Sequence, residues 1–316
     1  MQFHRFGRLS LSALLVATIL YTVGCMVSPP RIDKARLLSH VETLSSETYA
    51  GRRTATDGGA MAVSYVEGQL KEMGITPCAE ALQVPFEFTS RRSAEPIPGI
   101  NLVGYIAGTG NSAKTIVVTA HFDHLGERGG EVFNGADDNA SGTGAMLELA
   151  RYFIANPPVH SMIFAGLDAE EMGLQGARAL VASSCVTERE VALNINMDMI
   201  SRSPKGELYA VGTFLNPFLK PALEAIPERE GVTLLFGHET PGTGSDDWTN
   251  SSDHGPFNQA GIPFIYFGVE DHPGYHNPTD DFAEITPEFY YQTTELILDA
   301  LLAYDSTLDT LKPDQK

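Results

Sequence analysis

The sequence is poor in basic residues. It has 21 Lys and Arg against 40 Asp and Glu, which gives a formal net charge of −19. Such an excess of negative charge repels phosphate backbones and anionic membrane surfaces, so nucleic acid is not expected as a partner. The chain also lacks internal repeats, heptad arrays and Pro-rich linkers. At 316 residues with 43% hydrophobic composition, it is expected to form one globular domain.

Cysteine is scarce as well, with three residues in the whole chain. No group of cysteines is close enough in sequence to predict a structural zinc site closed by thiolates. Cys78 and Cys185 have no framework of further cysteines around them, a pattern more typical of two buried thiols. A disulfide between them, in an oxidising compartment, is the alternative.

A long apolar run occurs at the start of the chain, in MQFHRFGRLSLSALLVATILYTVGC. Arg5 and Arg8 precede an uncharged stretch that ends in small residues, which is the layout of an export signal. We therefore assign residues 1–25 to such a signal. Its final Cys25 resembles the lipidated cysteine of a bacterial lipoprotein, which predicts a periplasmic location with membrane contact only through that lipid. Simple secretion and an uncleaved anchor are the alternatives, since residues 9–26 just reach the ~17 to 25 needed to span a bilayer.

The remaining residues, 26–316, predict a single catalytic domain. Two helical patterns, DKARLLSHVETL and DGGAMAVSYVEGQLKEMG, come first. Apolar strands such as TIVVTAHF, SMIFAGL, ALNINMDMI and IPFIYFG then alternate with helices up to PEFYYQTTELILDALLAY. This order predicts an α/β fold, a three-layer α/β/α sandwich with a mixed, mostly parallel central sheet. Ligands of such sheets bind beyond the carboxyl ends of the strands.

Acidic residues and histidines occur where those strands end. A lone residue of this kind is usually a helix cap or a satisfied core residue, but several at one edge favour a site. The candidates are His121, Asp123, Asp137, Glu170, Glu171, Asp198 and His276. Histidines and carboxylates without a thiolate suit two divalent ions that share one carboxylate, as in two-metal hydrolases.

The adjacent pair Glu170 and Glu171 fits this interpretation. Consecutive side chains of an extended segment point in different directions, so the two cannot face one metal together. One can bind metal while its neighbour accepts a proton from water. The alternative is that both only favour the N-terminus of the next helix, an effect of about 0.3 to 1 kcal/mol each.

Five motifs carry a resemblance to a known family: AHFDHLG, NGADDNASGTGAMLELAR, DAEEMGLQGA, NMDMI and YHNPTDD, in that order. The chain resembles the co-catalytic dizinc aminopeptidases of the bacterial leucyl aminopeptidase type. These belong to a zinc exopeptidase family that also contains glutaminyl cyclases, glutamate carboxypeptidase and the transferrin receptor. The resemblance implies the zinc exopeptidase fold, two Zn²⁺ ions and hydrolysis of the N-terminal bond of peptide substrates.

The resemblance also implies roles for individual residues. It makes Asp137 the carboxylate that bridges the ions, with a cis bond between Asp137 and Asp138. His121 and Asp198 complete one metal site, and Glu171 and His276 complete the other. Glu170 matches the general base, Asp123 the carboxylate that orients His121, and Tyr275 a stabiliser of the oxyanion.

Substrate preference is less determined by these motifs, because loops set it. Trp248 and Phe257 are candidates for an apolar slot. The candidates for attracting a substrate amino group are Asp246, Asp247, Glu270 and Asp271. Asp253 and His254 are expected to serve core hydrogen bonding more than the site. Carboxypeptidase or dipeptidase activity, glutaminyl cyclisation at a single metal, and a non-catalytic receptor-like relative remain the alternatives.

Overall fold

The computed structural model describes residues 31–90 and 95–311. Within Arg31–Lys316, the described residues form one compact unit. The predicted export signal, residues 1–25 with Cys25, lies outside the described residues. Within the described ranges, no helix has both the length and the apolar character needed to cross a membrane.

The two predicted N-terminal helices are present. Helix α1 spans Lys34–Leu44, and the Asp33 side chain caps it by accepting from the Arg36 N–H. Helix α2 spans Asp57–Glu72, and its cap is Thr56. Six further α-helices follow in the described chain: α3 (Gly142–Ala155), α4 (Gln175–Ala182), α5 (Ser184–Thr187), α6 (Lys220–Glu224), α7 (His254–Gln259) and α8 (Pro287–Thr307).

Nine strands of the described chain form one sheet, in the order β1-β3-β7-β4-β8-β11-β9-β10 with β2 paired to β3. They are β1 (Thr76–Pro77), β2 (Gln83–Phe88), β3 (Ile97–Ile106), β4 (Lys114–His121), β7 (Ser161–Leu167), β8 (Glu190–Met197), β9 (Glu207–Val211), β10 (Thr233–Leu235) and β11 (Phe264–Gly268). The central strands β7, β4, β8 and β11 are parallel. Antiparallel pairs join β3 to β7 and β9 to β11, so the predicted mixed α/β sheet is confirmed. A separate hairpin, β5 (Gly126–Arg128) with β6 (Glu131–Phe133), was not predicted.

The alternation of apolar side chains along the strands produces two cores. On β4, Ile116 and Val118 face the larger cluster, which includes buried residues of α1, α2, α3 and α8. Val117 between them faces the other side, where Ala177 of α4 and Phe257 of α7 pack. The sheet is therefore covered by helices on both faces, which gives the three predicted layers.

The two cysteines of the described chain are joined to each other, which corrects the expectation of two thiols. Cys78 and Cys185 form a disulfide that closes a sequence separation of 107 residues. Cys185 is fully buried on α5, in the same core as Phe257. The structure therefore shows the alternative, a bridge between Cys78 and Cys185.

Candidate metal centre

Strand register brings the first two candidates together. Thr119 of β4 pairs with Asn196 of the parallel strand β8. His121 and Asp198 lie two residues further along their strands, so they leave the carboxyl edge side by side. The His121 Nε2 is 3.3 Å from Asp198 Oδ1. Asp198 is held from behind by the Ser252 hydroxyl, which donates to its Oδ2 at 2.7 Å.

A second group of side chains lies next to this pair. His276, in the loop after β11, places its Nε2 3.5 Å from Glu171 Oε2. His124 places its Nδ1 2.8 Å from Glu171 Oε1. His124 and Glu171 are shielded from solvent, whereas 41% of the His276 side chain is exposed.

Asp138 lies between the two groups. Its Oδ1 is 3.5 Å from the His121 Nε2, and its Oδ2 is 3.2 Å from the His276 Nε2. Among the described residues, two sets of side chains have ligand atoms close enough to hold a cation, namely His121, Asp138 and Asp198, and His124, Asp138 and Glu171. Asp138 is the member that they share.

This placement corrects the expectation for Asp137. Its carboxylate is fully buried and turned away from the group: Oδ1 accepts from the Ser201 N–H and hydroxyl at 2.7 and 2.8 Å. Its Oδ2 is 3.1 Å from the His272 Nε2. The cis peptide bond likewise follows Asp138, joining it to Asn139, and does not lie between Asp137 and Asp138. The residue between the two groups is therefore one position later than the resemblance implied.

The loop that carries Asp138 is fixed by buried hydrogen bonds. The Asp280 carboxylate accepts from the backbone N–H groups of Asp137 and Asp138 at 3.0 to 3.1 Å. The Asn139 side chain donates to the Met197 carbonyl and accepts from the Gly142 N–H. Carboxylate and amide side chains thus replace the regular backbone pairing that this segment lacks.

Glu170 and Glu171 follow β7 through a tight turn. Ala169 takes a left-handed conformation with φ 58°, uncommon for a residue other than glycine. The Asp123 Oδ1 accepts from the Glu170 N–H at 3.0 Å. The Glu170 Oε2 is 4.0 Å from His121 Nε2, while Glu171 contacts His124 and His276. The two glutamates therefore face different members of the cluster, as their adjacency predicts.

Asp123 contacts His121 mainly through its backbone. The His121 Nδ1 is 3.2 Å from the Asp123 carbonyl oxygen and 3.6 Å from its Oδ1. The other carboxylate oxygen accepts from the Thr54 hydroxyl at 3.3 Å, and Thr54 also donates to Asp168. Asp123 thus links His121 to the turn that carries Glu170.

Burial and neighbouring charges set the acidities here. Burial raises the pKa of the Glu170 carboxyl, His121 opposes the shift, and Asp198 and Asp253 add to it. For Glu171 burial also favours the neutral form, but hydrogen bonds with His124 and His276 overcome it and lower its pKa. The adjacent glutamates are therefore shifted in opposite directions, which is how neighbouring carboxyls acquire different roles.

Several polar atoms of the cluster are buried without any hydrogen-bond partner. Within the described chain they include the Nε2 of His121, the Nε2 of His124 and Oδ1 of Asp198. Such atoms cost free energy unless something satisfies them. Zinc binds nitrogen and oxygen at about 2.0 to 2.2 Å, so two ligand atoms of a tetrahedral site lie roughly 3.3 to 3.6 Å apart. The separations of 3.2 to 3.5 Å given above fit such a cation.

A cavity of about 470 Å³ opens beside the cluster. Its lining includes Glu170, Tyr275, Trp248 and Asp271. Tyr275 stacks on the His276 ring at 4.0 Å. Burial raises the pKa of the Tyr275 hydroxyl, and Asp138 and Asp198 add to the shift, so the hydroxyl keeps its proton.

The other predicted rim residues lie elsewhere. Phe257 is fully buried in the core, and Asp246 and Glu270 both contact the His238 ring, on opposite nitrogens. The Asp247 carboxylate accepts from backbone N–H groups of its own loop. His254 has its Nε2 2.9 Å from the Trp248 carbonyl, in line with the core role expected for it. Both carboxylate oxygens of the buried Asp253 lack a hydrogen-bond partner among the described residues, so the core hydrogen bonding expected for Asp253 is not found.

Two members of the cluster were not among the sequence candidates, Asp138 and His124. His124 lies in the same motif as His121, three residues later, so the motif AHFDHLG held the signal. Asp138 could not be told from Asp137 by residue type. The conformation of the loop decides which of the two carboxylates faces the cluster.

Comparison with known proteins identifies the family. The model of peptidase family M28 matches residues 101–301, more than half of the chain. The chain belongs to peptidase family M28. Among curated proteins it is 32% identical to aminopeptidase YwaD of Bacillus subtilis over 211 residues, which is 63% of this chain and 42% of YwaD. It is 31% identical to the probable lipoprotein aminopeptidase LpqL of Mycobacterium tuberculosis over 174 residues, 51% of this chain and 33% of LpqL.

Solved structures of this M28 fold extend over most of the described chain. The aminopeptidase of Aneurinibacillus sp. strain AM-1 superimposes with a TM-score of 0.67 at 17% identity, covering 90% of this chain and 95% of that one. A glutaminyl cyclase of Bacteroides thetaiotaomicron gives 0.67 at 18% identity, covering 86% and 98%. This M28 chain spans less than half of the length of the two curated relatives above.

Proposed function

We propose that this M28 chain is a zinc-dependent aminopeptidase that removes the N-terminal residue of peptides. The observation that carries the proposal is the position of Asp138, whose two carboxylate oxygens face His121 on one side and His276 on the other. The named activity of the relative YwaD supports the aminopeptidase assignment.

The contacts around Asp138 support one set of residues that would hold two zinc ions. Asp138 would be shared, with His121 and Asp198 on one ion and Glu171 and His276 on the other. His124, whose Nδ1 contacts Glu171 at 2.8 Å, would orient that carboxylate. When bound, zinc supplies Lewis acidity, which polarises a carbonyl and lowers the pKa of water.

Glu170 would act as the general base. It lines the cavity beside the cluster, and its pKa is raised by burial, so it accepts a proton more readily than an ordinary glutamate. Cations bound nearby would lower that pKa again, but the water they acidify is also easier to deprotonate. The proton taken from water would then be delivered to the leaving amine. Because Glu170 would both accept this proton and donate it to the leaving amine, no second acidic residue is required.

Tyr275 would stabilise the oxyanion. Its hydroxyl stays protonated, and its ring is held against His276 at the cavity wall. A hydrogen-bond donor that contacts charge developing on the carbonyl oxygen lowers the barrier selectively. Asp271, at the same wall, is the remaining rim acid suited to attract the substrate amino group.

Export to the periplasmic face, as a lipoprotein or a secreted protein, is part of the proposal. The signal-like residues 1–25 and the Cys25 lipidation motif motivate it. The Cys78–Cys185 disulfide supports an oxidising compartment, and the relative LpqL is named a probable lipoprotein aminopeptidase. Residues 26–316 would then be the exported catalytic domain.

A substrate screen tests the activity. Purified protein is assayed on aminoacyl chromogenic amides, the same amides with a blocked amine, C-terminal peptide substrates and N-terminal glutaminyl peptides, with and without chelator. We expect hydrolysis only of free-amine substrates, abolished by chelator and restored by zinc. Turnover of blocked substrates, or cyclisation of glutaminyl peptides without hydrolysis, would reject the aminopeptidase assignment.

A further inference from the structure

A buried arginine lies behind the cluster, outside the cavity. Arg52 has no exposed surface, and no carboxylate contacts its guanidinium within hydrogen-bond distance among the described residues. All five of its N–H groups donate to backbone carbonyl oxygens. The acceptors are those of Leu44, Phe122, Asn134, Gly135 and Asp138.

Four of these acceptors belong to the two segments that carry His121 and Asp138, and the fifth, Leu44, is the last residue of α1. Nε donates at 2.7 Å to Phe122, the residue after His121. Nη2 donates at 2.6 Å to Gly135 and at 3.2 Å to Asp138 itself. The Arg52 carbonyl in turn accepts from the His124 N–H at 3.4 Å. One rigid, planar group therefore sets the distance between the segments.

The backbone around Arg52 is unusual in a way that serves this placement. Ala50, Gly51 and Arg52 have consecutive positive φ angles of 44°, 65° and 37°. Left-handed conformations are uncommon outside glycine and persist where the surroundings enforce them. A Cβ at Gly51 would lie 2.5 Å from the Phe133 carbonyl oxygen. The chain is thus folded tightly against the β5–β6 hairpin so that the side chain of Arg52 enters the interior.

The charge of Arg52 also faces the acidic cluster. A guanidinium keeps its positive charge in proteins, so Arg52 offsets part of the negative charge of Asp138, Asp280, Asp123 and Glu171. A lysine would keep the charge, but its three donors in a compact head cannot reach all five carbonyls.

We propose that Arg52 is a positioning residue that holds His121 and Asp138 at the separation needed to bind two ions. This inference rests on the proposed zinc function, but concerns a residue that would touch neither metal nor substrate. Because Arg52 would fix the shared carboxylate of Asp138, its loss should weaken binding of the second zinc ion more than binding of the first.

The test compares Arg52→Lys and Arg52→Met with two controls. Arg53→Lys alters the neighbouring residue, whose guanidinium donates to the Leu125 carbonyl. Leu301→Ala removes a fully buried side chain of α8 and lowers stability away from the cluster. Chelator-treated proteins that keep a folded circular dichroism spectrum are titrated with zinc by calorimetry, and zinc per chain is counted by native mass spectrometry.

We expect the wild type and both controls to bind two ions. Arg52→Lys should bind the second ion at least ~10-fold more weakly, the scale of a lost outer-sphere partner, with kcat reduced and KM nearly unchanged. Wild-type stoichiometry and affinity in both Arg52 variants would overturn the inference, and so would an equal loss in Leu301→Ala. If the wild type binds a single ion, the two-zinc proposal fails, and the affinity of Arg52→Lys for that ion still decides the role of Arg52.

Should neither Arg52 variant fold, the wild type itself supplies the measurement. Exchange of the Arg52 guanidinium protons, followed by nitrogen-15 NMR, is compared before and after addition of zinc. We expect zinc to slow this exchange at least ~10-fold, because the ions would fix the segments whose carbonyls those protons contact. Exchange that zinc leaves unchanged would overturn the inference.

Discussion

The Asp123 Oδ1 accepts a hydrogen bond from the Glu170 N–H at 3.0 Å, while the Asp123 carbonyl lies 3.2 Å from the His121 Nδ1. One residue thus contacts both the proposed general base and a proposed zinc ligand. The link matters because Glu170 lies on a turn whose preceding residue, Ala169, has a left-handed backbone. If the Glu170 N–H had no acceptor, fewer hydrogen bonds would hold the turn that positions the Glu170 side chain.

Replacement of Asp123 by Ala should therefore reduce turnover through position. We expect kcat to fall about 10- to 100-fold, in the range for residues that orient metal ligands, with KM little changed. Steady-state kinetics on a free-amine substrate measures the effect. Thr54→Val, which removes the hydroxyl that donates to Asp123 and Asp168, is the matched control and should have a smaller effect in the same direction. Unchanged kcat in Asp123→Ala would show that the link to Glu170 is dispensable.

The proton-transfer role of Glu170 predicts a sharper loss. Glu170→Gln keeps the size of the side chain but cannot accept the proton, so we expect turnover to fall at least ~10²-fold with zinc binding unchanged. The measurement is kcat on protein whose zinc content has been confirmed by mass spectrometry. Near-normal activity in fully loaded Glu170→Gln would remove this residue from the mechanism.

Asp137 and Asp138 provide a paired test of the shared carboxylate. Asp138→Asn should lose the second zinc ion, because it removes the charge between the two groups. Asp137→Asn should keep both ions but unfold more easily. The His272 Nδ1 accepts a hydrogen bond from the Gly274 N–H, so the proton of the His272 ring is on Nε2. The Asp137 Oδ2 accepts a hydrogen bond from that Nε2–H. In Asp137→Asn an amide nitrogen would replace Oδ2, and an amide nitrogen cannot accept a hydrogen bond.

The expected loss of stability in Asp137→Asn is about 1 to 3 kcal/mol, the cost of one buried unsatisfied partner. Zinc counts from native mass spectrometry and urea unfolding of both variants separate the two effects. Two ions in Asp138→Asn together with one in Asp137→Asn would reverse the assignment.

The same pair shows what the sequence could not predict. The strands were predictable because buried parallel strands such as β4 are continuous runs of apolar residues, and their ends located the site. Which of two adjacent aspartates points inward depends on the Asp280 carboxylate that fixes the loop. Asp280 is 142 residues away from Asp138 in the chain, so no local pattern reveals this contact.

The disulfide and the short hairpin were missed for related reasons. Cys78 and Cys185 are 107 residues apart and pair only because β1 and α5 approach each other in the fold. The hairpin β5–β6 has strands of three residues with exposed side chains around Gly129 and Gly130, so it lacks the apolar alternation that predicts a strand.

The disulfide should contribute to stability. A bridge that closes about 100 residues restricts the unfolded chain, and loss of a native bridge typically costs about 2 to 5 kcal/mol. We expect the double variant Cys78→Ser and Cys185→Ser to melt at lower temperature than the wild type. Reductant should lower the melting temperature of the wild type toward that of the variant and leave the variant unchanged. A wild type whose melting is insensitive to reductant, with two free thiols by mass, would contradict the prediction.

Acid should destabilise the fold partly through Glu148, remote from the cluster. Glu148 is buried, which favours its neutral form, but hydrogen bonds with His40 and Arg36 overcome this and lower its pKa below the ordinary value. A lowered pKa in the folded state means that the unfolded chain binds more protons, so this contribution is complete above the unfolded pKa of about 4.3. The contribution is lost as the pH falls through the folded pKa.

We therefore expect Glu148→Gln to be less stable than the wild type by about 1 to 3 kcal/mol above pH 5, since it loses charge-assisted hydrogen bonds with Arg36. The difference should shrink as the pH falls below about 4, where the wild-type carboxylate also becomes protonated. Urea unfolding between pH 3.5 and 7, with chelator present so that zinc does not contribute, measures it. Glu288→Gln, which alters an exposed partner of Lys34, is the control and should show a much smaller difference. A Glu148→Gln difference that stays constant across this range would mean that Glu148 does not contribute to acid unfolding.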